Sequence, residues 1–318
     1  MSATGDYQSW PMILDDGDDL LVIWSRGDQH TFHTNRSMWA TNGGRKAWPA
    51  GAMILNTDGE DDQSHGSGFD SAGRPLLWVI QRTGTGAGNT RMRLYRRDAD
   101  TWSVIAEPTW TAFAPTHFNM ICTVPGFGLI AHAQGTFDHG IVYSTDDGAT
   151  WGQMVLPGSG VSTAFHMPVE GRFVVLDSGA IFGVARREDI DGYGNDPLWQ
   201  MTCPAGADLT EPDNWTVAAT SIVDQKKTPM AMVYTEGLLD GYYYDRHAGI
   251  LRWVQVDPLS VWDNPTSWPN STPLWEGSPE DNAGYPSAVR KDGANHVVWY
   301  SGTAAVCDIF YGVHYSRV

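Results

Sequence analysis

Residues 144–151 read Ser-Thr-Asp-Asp-Gly-Ala-Thr-Trp, and this octet constrains the fold more than any other segment of the chain. Its chemistry is that of a β-hairpin turn. Asp146 can accept hydrogen bonds from turn amides, and Gly148 supplies a backbone conformation that side chains resist. The hydroxyls of Ser144 and Thr150 can tie the two strands together, while Trp151 is large enough to seal a gap between neighbouring units. The flanking segments, GIVYS and WGQMVL, are strand-like. The octet speaks to fold; Asp146 and Asp147 are read as structural rather than catalytic.

A longer period surrounds it. Six times the chain shows an apolar strand, a Gly- or Asp-rich turn, then a second strand dense in Val, Leu, Trp or Tyr. These units begin at Trp10, His65, His117, His166, Pro229 and Tyr285, about 50–60 residues apart, the length of a blade of four short strands with its loops. The first and last are the most alike (WPMILDDGDDLLVIW and YPSAVRKDGANHVVWY). Apolar residues alternate or cluster over short stretches throughout, and no convincing helix appears. The expected fold is all-β: a six-bladed β-propeller of four-stranded antiparallel blades. It fills residues 1–318 as one domain, with blades starting near residues 8, 63, 115, 163, 227 and 283. The N-terminal residues are expected to supply the outermost strand of the sixth blade and close the ring.

Composition agrees. With 35 Gly, 18 Pro and 15 Trp in 318 residues, the chain suits many strands and turns around a large core. A formal net charge of −17 argues against a nucleic-acid partner. Cys122, Cys203 and Cys307 lie far apart and are read as buried thiols. No run of about 18 apolar residues offers a membrane span. The start, MSATGDYQSW, lacks a basic and then apolar signal region. An extracellular or virion-surface protein is expected, leaving its cell by another route or cut from a longer chain.

Strand direction orders the candidate site residues. In an antiparallel blade the start of the first strand and the end of the second share one face. At first-strand starts stand His65, His117, His166 and Tyr285; at second-strand ends and the loops beyond stand Arg26, Asp28, His30, Arg82 and Arg246. His65, His117 and His166 share a register in consecutive units and are expected to line one pocket.

The octet matches the Asp-box pattern S-x-D-x-G-x-T-W, and with these repeats the chain resembles the sialidase or neuraminidase (Asp-box, BNR-repeat) β-propellers. The resemblance extends to the site. SRGDQHTFHTNRSMWATNGG resembles the family's first inter-strand loop, which places Asp28 as acid/base with Arg26 beside it. Ala283-Gly284-Tyr285-Pro286-Ser287 is similar to the start that carries the family's nucleophilic tyrosine, making Tyr285 the candidate. A tyrosine with a pKa near ~10 needs a neighbouring base, and the family uses a glutamate. Glu236 and Glu280 are the candidates, though Glu236 falls near a first hairpin turn on the opposite face. The family's opening Tyr-Arg-Ile-Pro-like segment corresponds to Gln8-Ser9-Trp10-Pro11, which keeps the proline and lacks the arginine. Arg82 and Arg246 stand in by position for the other two arginines of its carboxylate clamp.

These readings imply a glycan-active enzyme that cuts an acidic or complex polysaccharide inside the chain, closest in spirit to phage tail endosialidases and depolymerases. Asp28 would be the general acid, and Tyr285 the nucleophile or base. Arg26, His30, His65, Arg82, His117, His166 and Arg246 would bind substrate. The alternatives are a polysaccharide lyase using Tyr285 or a histidine, and a non-catalytic glycan- or receptor-binding propeller of a phage tail. No cofactor is required. Asp189, Asp191 and Asp196 form a weak calcium candidate in a glycine-rich loop. A poly- or oligosaccharide is the expected partner, and homo-oligomerisation is left open. Residues 260–275, with three tryptophans among Pro, Asn and Ser, are expected to form a surface-aromatic loop.

Overall fold

The computed structural model describes residues 7–27, 35–42, 48–49, 51–83, 90–136, 138–158, 168–187, 197–223, 228–279, 283–303 and 306–316. Among these residues the strands form five sheets, and in chain order they run as antiparallel meanders, of which the first and the last share one seven-stranded sheet. The first holds β1 (Tyr7–Asp16), β2 (Asp19–Gly27), β3 (Arg36–Thr41) and β4 (Ala52–Leu55). The second holds β5 (Asp61–Phe69), β6 (Pro75–Arg82), β7 (Thr90–Asp98) and β8 (Thr101–Ala106). In the third, a broken first strand, β9 (His117–Phe118) and β10 (Cys122–Val124), precedes β11 (Gly128–Gln134), β12 (His139–Ser144) and β13 (Gly152–Val155). The fourth comprises β14 (Pro168–Val175), β15 (Ile181–Arg187), β16 (Trp199–Cys203) and β17 (Thr216–Ala219). The fifth comprises β18 (Ala231–Thr235), β19 (Leu238–Asp245), β20 (Ile250–Val256) and β21 (Thr272–Glu276). The sixth has β22 (Ala283–Lys291), β23 (Ala294–Gly302) and β24 (Cys307–His314). Helix among the described residues is confined to α1 (Pro258–Val261) and two 3₁₀ turns.

The first strands adjoin one another in cyclic order. β1 lies beside β5, β5 beside β9 and β10, β10 beside β14, β14 beside β18, β18 beside β22, and β22 beside β1. Sheets standing on edge around a common centre bury their inner strands on both faces. The second strands accordingly read as continuous apolar runs, as in Leu20–Val22 and Leu76–Ile80, all fully buried. The first and last meanders meet at a parallel pairing. Tyr7, at the start of β1, pairs parallel with Cys307 at the start of β24, so β1 remains the inner strand of its own meander. Residues 1–6, expected as an outermost strand, lie outside the described residues.

The break between β9 and β10 has a local cause. Ile121 donates its amide to Ser67 O of β5 at 2.8 Å. A Cβ at Gly66 or Gly68 would meet the carbonyls of Asn119 and Ile121 at 2.1 and 2.3 Å. The two glycines of GSGF let one backbone lie directly on the next, drawing Ile121 out of its own ladder while Asn119 still donates to His132 O at 3.2 Å.

The Asp-x-Gly turn is built as its chemistry dictates. Asp146 accepts from Thr150 N (2.8 Å), Thr150 Oγ1 (2.6 Å) and Ser144 Oγ (2.8 Å). Trp151 packs edge-on against Trp78 of the second meander at 4.9 Å. Asp147, left-handed at φ 56°, reaches the second meander too, accepting from Ser71 N and Oγ. The turn therefore fastens one meander to the previous one.

Residues 260–275 do not form an exposed aromatic loop. Trp268 is 5% exposed and its indole N–H donates to Gln200 Oε1 at 3.1 Å. Trp262 packs on the core shared by the fourth and fifth meanders, and Trp275 stacks on Trp299 at 5.0 Å. Asn264 and Pro265 open a short 3₁₀ turn, while the indoles pack inward. The three cysteines are free thiols, Cys203 and Cys307 buried and Cys122 half-buried.

Candidate active site

Three inner strands carry the same irregularity near their starts. Trp10 of β1, Glu170 of β14 and Tyr285 of β22 have φ values of 50°, 52° and 49°. At each, the register with the second strand jumps, between Ser9 and Met12, Val169 and Arg172, and Gly284 and Ser287. β5 has a similar jump around His65. A bulge inserts a residue and re-aims its side chain; left-handed backbone at a non-glycine residue is held only by strong surroundings. The outcome is convergence: Trp10, His65, Phe118, Asn119, Glu170, Arg172 and Tyr285 line one small cavity between the inner strands.

At its heart Tyr285 donates its hydroxyl proton to Glu170 Oε1 at 2.8 Å. The other carboxylate oxygen, Oε2, accepts from Arg186 Nε. Burial alone would raise the Glu170 pKa, but Arg186 beside it holds the carboxyl below its ordinary value. The Tyr285 phenol is pushed well above its ordinary value by burial and by the Glu170 charge. Arg246 lies over the Tyr285 ring, 5.7 Å from its centroid, and donates to Ala283 O (2.8 Å) and to the Tyr300 hydroxyl (3.3 Å). Arg172 donates to Pro286 O at 2.6 Å, and burial lowers its pKa to about 10. Three guanidiniums thus gather around the Tyr285–Glu170 pair, Arg186 and Arg172 by the carboxylate and Arg246 over the phenol ring. In a chain of strongly negative net charge this is a local inversion of sign suited to an anionic group.

A wall of imidazoles and indole faces this group. His65 stacks on Trp10 at 5.9 Å and meets His117 edge-on at 5.0 Å. His65 Nε2 bonds Gln63 Oε1 at 3.1 Å, and Gln63 in turn donates to Asp61 at 2.7 Å. Burial lowers the His117 pKa to about 4; Glu170 works against that and Arg82 with it. Arg82 donates to Thr116 O at 3.4 Å, next to His117. A second cavity of about 420 Å³, lined by Arg91, Glu107, Trp110 and Thr116 among others, begins on the far side of Thr116.

Of the residues singled out from sequence, Tyr285, His65, His117 and Arg246 come together here, with Arg82 behind His117. Arg26 stands on β2 opposite Gln8 and Arg36. Glu236 occupies a two-residue hairpin turn between β18 and β19, with φ 52° followed by 83° at Gly237. That turn is at the far end of its meander from the Tyr285 side, so Glu236 is not the carboxylate beside Tyr285. Asp28, His30, His166, Glu280, Asp189, Asp191 and Asp196 lie outside the described residues. Glu170, Arg172 and Arg186 were missed. Sequence reading took His166 as the equivalent of Trp10 and Tyr285; the equivalent residue is Glu170. Arg186 had a signal, since Arg26, Arg82 and Arg246 also stand at or just beyond second-strand ends.

Known structures show a fold of this kind. A protein of unknown function from Dyadobacter fermentans aligns with a TM-score of 0.75 over 99% of both chains at 12% identity. NanB sialidase from Streptococcus pneumoniae aligns at 0.73 over 98% of this chain and 69% of its own, at 10% identity. Trypanosoma rangeli sialidase aligns at 0.69 over 98% of this chain, at 12% identity, and this chain spans 55% of that enzyme. The fold is a sialidase-like β-propeller. No family model matches the sequence, and no curated protein matches it. At these identities the likeness speaks for the propeller alone, and the chemistry rests on the side chains described above.

Proposed function

We propose that this chain is a six-bladed sialidase-like propeller, each meander a blade, that hydrolyses an acidic polysaccharide within its chain. The observation that carries this reading is the 2.8 Å hydrogen bond from Tyr285 to Glu170 among Arg172, Arg186 and Arg246. Glu170 takes the part of the base that Glu236 or Glu280 was expected to play. Tyr285 Oη attacks the anomeric carbon as its proton passes to Glu170 Oε1. The glycosidic C–O bond breaks, and Asp28 protonates the departing oxygen. Water activated by Asp28 then displaces the tyrosine, and Glu170 returns the proton.

The electrostatics support a concerted order of events. A depressed Glu170 pKa and a raised Tyr285 pKa make a free phenolate costly, so proton transfer accompanies attack rather than preceding it. The arginines then serve twice, holding an anionic sugar and stabilising charge on the phenolic oxygen. Ser9 in place of the family's first arginine supports a substrate other than a terminal sialic acid. The 420 Å³ cavity lined by Thr116, next in sequence to His117, with Trp110 in its wall, supports a substrate longer than one sugar.

A panel of bacterial capsular and other anionic polysaccharides, followed by size-exclusion chromatography, tests the proposal. Chain shortening by the wild type and not by Tyr285→Phe is expected. Ultraviolet-absorbing unsaturated ends would indicate a lyase, and binding without shortening a non-catalytic glycan receptor.

A further inference from the structure

The left-handed turn at Glu170 is held from outside its own strand. The bulge removes the amides of Glu170 and Gly171 from the β14–β15 ladder, where pairing jumps from Val169 to Arg172. Both point instead at side chains of the neighbouring β11. Glu170 N donates to Gln134 Oε1 at 2.8 Å, and Gly171 N donates to His132 Nδ1 at 3.1 Å. A Cβ on Gly171 would meet Met201 Cε at 2.5 Å and His132 Cγ at 3.0 Å, so the segment is tightly enclosed. Buried amides with no ladder partner are costly to leave unmade. These two acceptors are what permit Glu170 to face Tyr285.

The acceptor role fixes the proton positions. An amide can only donate, so His132 Nδ1 carries a lone pair and its hydrogen is on Nε2. That hydrogen points at His139 Nδ1, 3.2 Å away, which must in turn accept. The hydrogen of His139 is then on Nε2, facing Pro157 O at 2.9 Å. Both rings are fully buried, and burial drives both pKa values down. The run from Gly171 through His132 and His139 to Pro157 has a single consistent arrangement, with both imidazoles neutral. Gln134 obeys the same logic: its Oε1 takes the Glu170 amide and its Nε2 faces His117 Nδ1 at 3.4 Å.

We propose that His132 and Gln134 are positioning residues for Glu170, and that His132 acts only as the neutral Nε2–H tautomer enforced by His139 and the Pro157 carbonyl. The proposal rests on the reading of Glu170 as the partner of Tyr285, but its test needs no substrate. Long-range ¹H–¹⁵N correlation spectra of histidine-labelled protein at neutral pH should show both rings in the Nε2–H form, with pyridine-like Nδ1 atoms. A slowly exchanging hydroxyl proton, assigned to Tyr285 by its loss in Tyr285→Phe, reports the bond to Glu170. That resonance should persist in His132→Asn, which keeps an acceptor near the Nδ1 position, and should be lost or displaced in His132→Leu and Gln134→Leu. An Nδ1–H or doubly protonated His132, no Tyr285 resonance in the wild type, or an unchanged one in both leucine variants would overturn the proposal. Should His132→Leu fail to fold, the tautomer spectrum and Gln134→Leu decide. A protein that passes these tests yet shortens no polysaccharide would disprove the hydrolase reading alone.

Discussion

Trp10 and Tyr285 occupy equivalent points of two adjoining inner strands, at φ 50° and 49°, each directly before a proline. One backbone device therefore serves two purposes. At β22 it presents a phenol to Glu170; at β1 it presents an indole that lies against His65. An indole face offers a sugar ring stacking rather than a charged anchor. If the proposed polysaccharide binds here, Trp10→Ala should weaken its binding by roughly three- to tenfold, a stacking-sized loss. Turnover at saturation should be nearly unchanged. Isothermal titration on a Tyr285→Phe background checks the first expectation. A fall in turnover with unaltered affinity would place Trp10 among the reacting groups.

In the proposed mechanism Tyr285→Phe removes the nucleophile, and Glu170→Gln removes the proton acceptor. Each should lower turnover by roughly 10²–10⁴ while affinity stays within a few-fold. Their effects should not add, because the two residues act as a unit. Glu170→Gln also leaves Arg186 buried beside a neutral amide, so it should be the less stable of the two. Equal activity of Glu170→Gln and wild type on a polysaccharide that the enzyme cuts would remove Glu170 from the mechanism.

How far the sequence disclosed this arrangement depends on the range of the interaction. The turn at residues 144–151 was legible because its bonds join residues within a few positions of one another, as Asp146 and Thr150 do. The hairpins were legible from alternating apolar runs around Gly and Asp. Glu170 was not. It meets Tyr285 across 115 positions, and its bulge depends on acceptors from β11. Locally, VEGR gives no sign that one carboxylate will turn inward. The loop at 260–275 misled for a related reason: Pro, Asn and Ser announce turns but not which surface a turn will cover. The second-strand arginines and the first-strand histidines were the repeated signals that pointed at the site.

Asp146→Ala should lower stability by about 1–2 kcal/mol through loss of its turn hydrogen bonds. The site lies at the other end of the strands, so turnover per folded molecule should not change. Asp147→Ala, which releases Ser71, should cost less and loosen the seam between the second and third meanders. Urea unfolding with activity measured on the folded fraction tests both. A fully folded Asp146→Ala that had lost activity would mean the turn communicates with the site.

Acid should destabilise the protein through its buried histidines. His139 is driven by burial from an ordinary 6.5 to about 4, and His117 falls to about 4 as well. Between those limits the unfolded chain binds protons that the folded one refuses, so stability falls as pH falls from about 6.5 towards 4 and levels off below. For His139 alone the full effect is of order 3 kcal/mol. Asp61 and Asp62, whose pKa values burial raises, act in the opposite direction, which makes the difference between two proteins the informative quantity. His139→Gln can still accept from His132 and donate to Pro157 but cannot be protonated. Its unfolding free energy, measured in urea at pH 7, 6 and 5, should decline less steeply than that of the wild type. Parallel declines would mean that His139 does not titrate on unfolding, and the neutral relay behind Glu170 would lose its energetic basis.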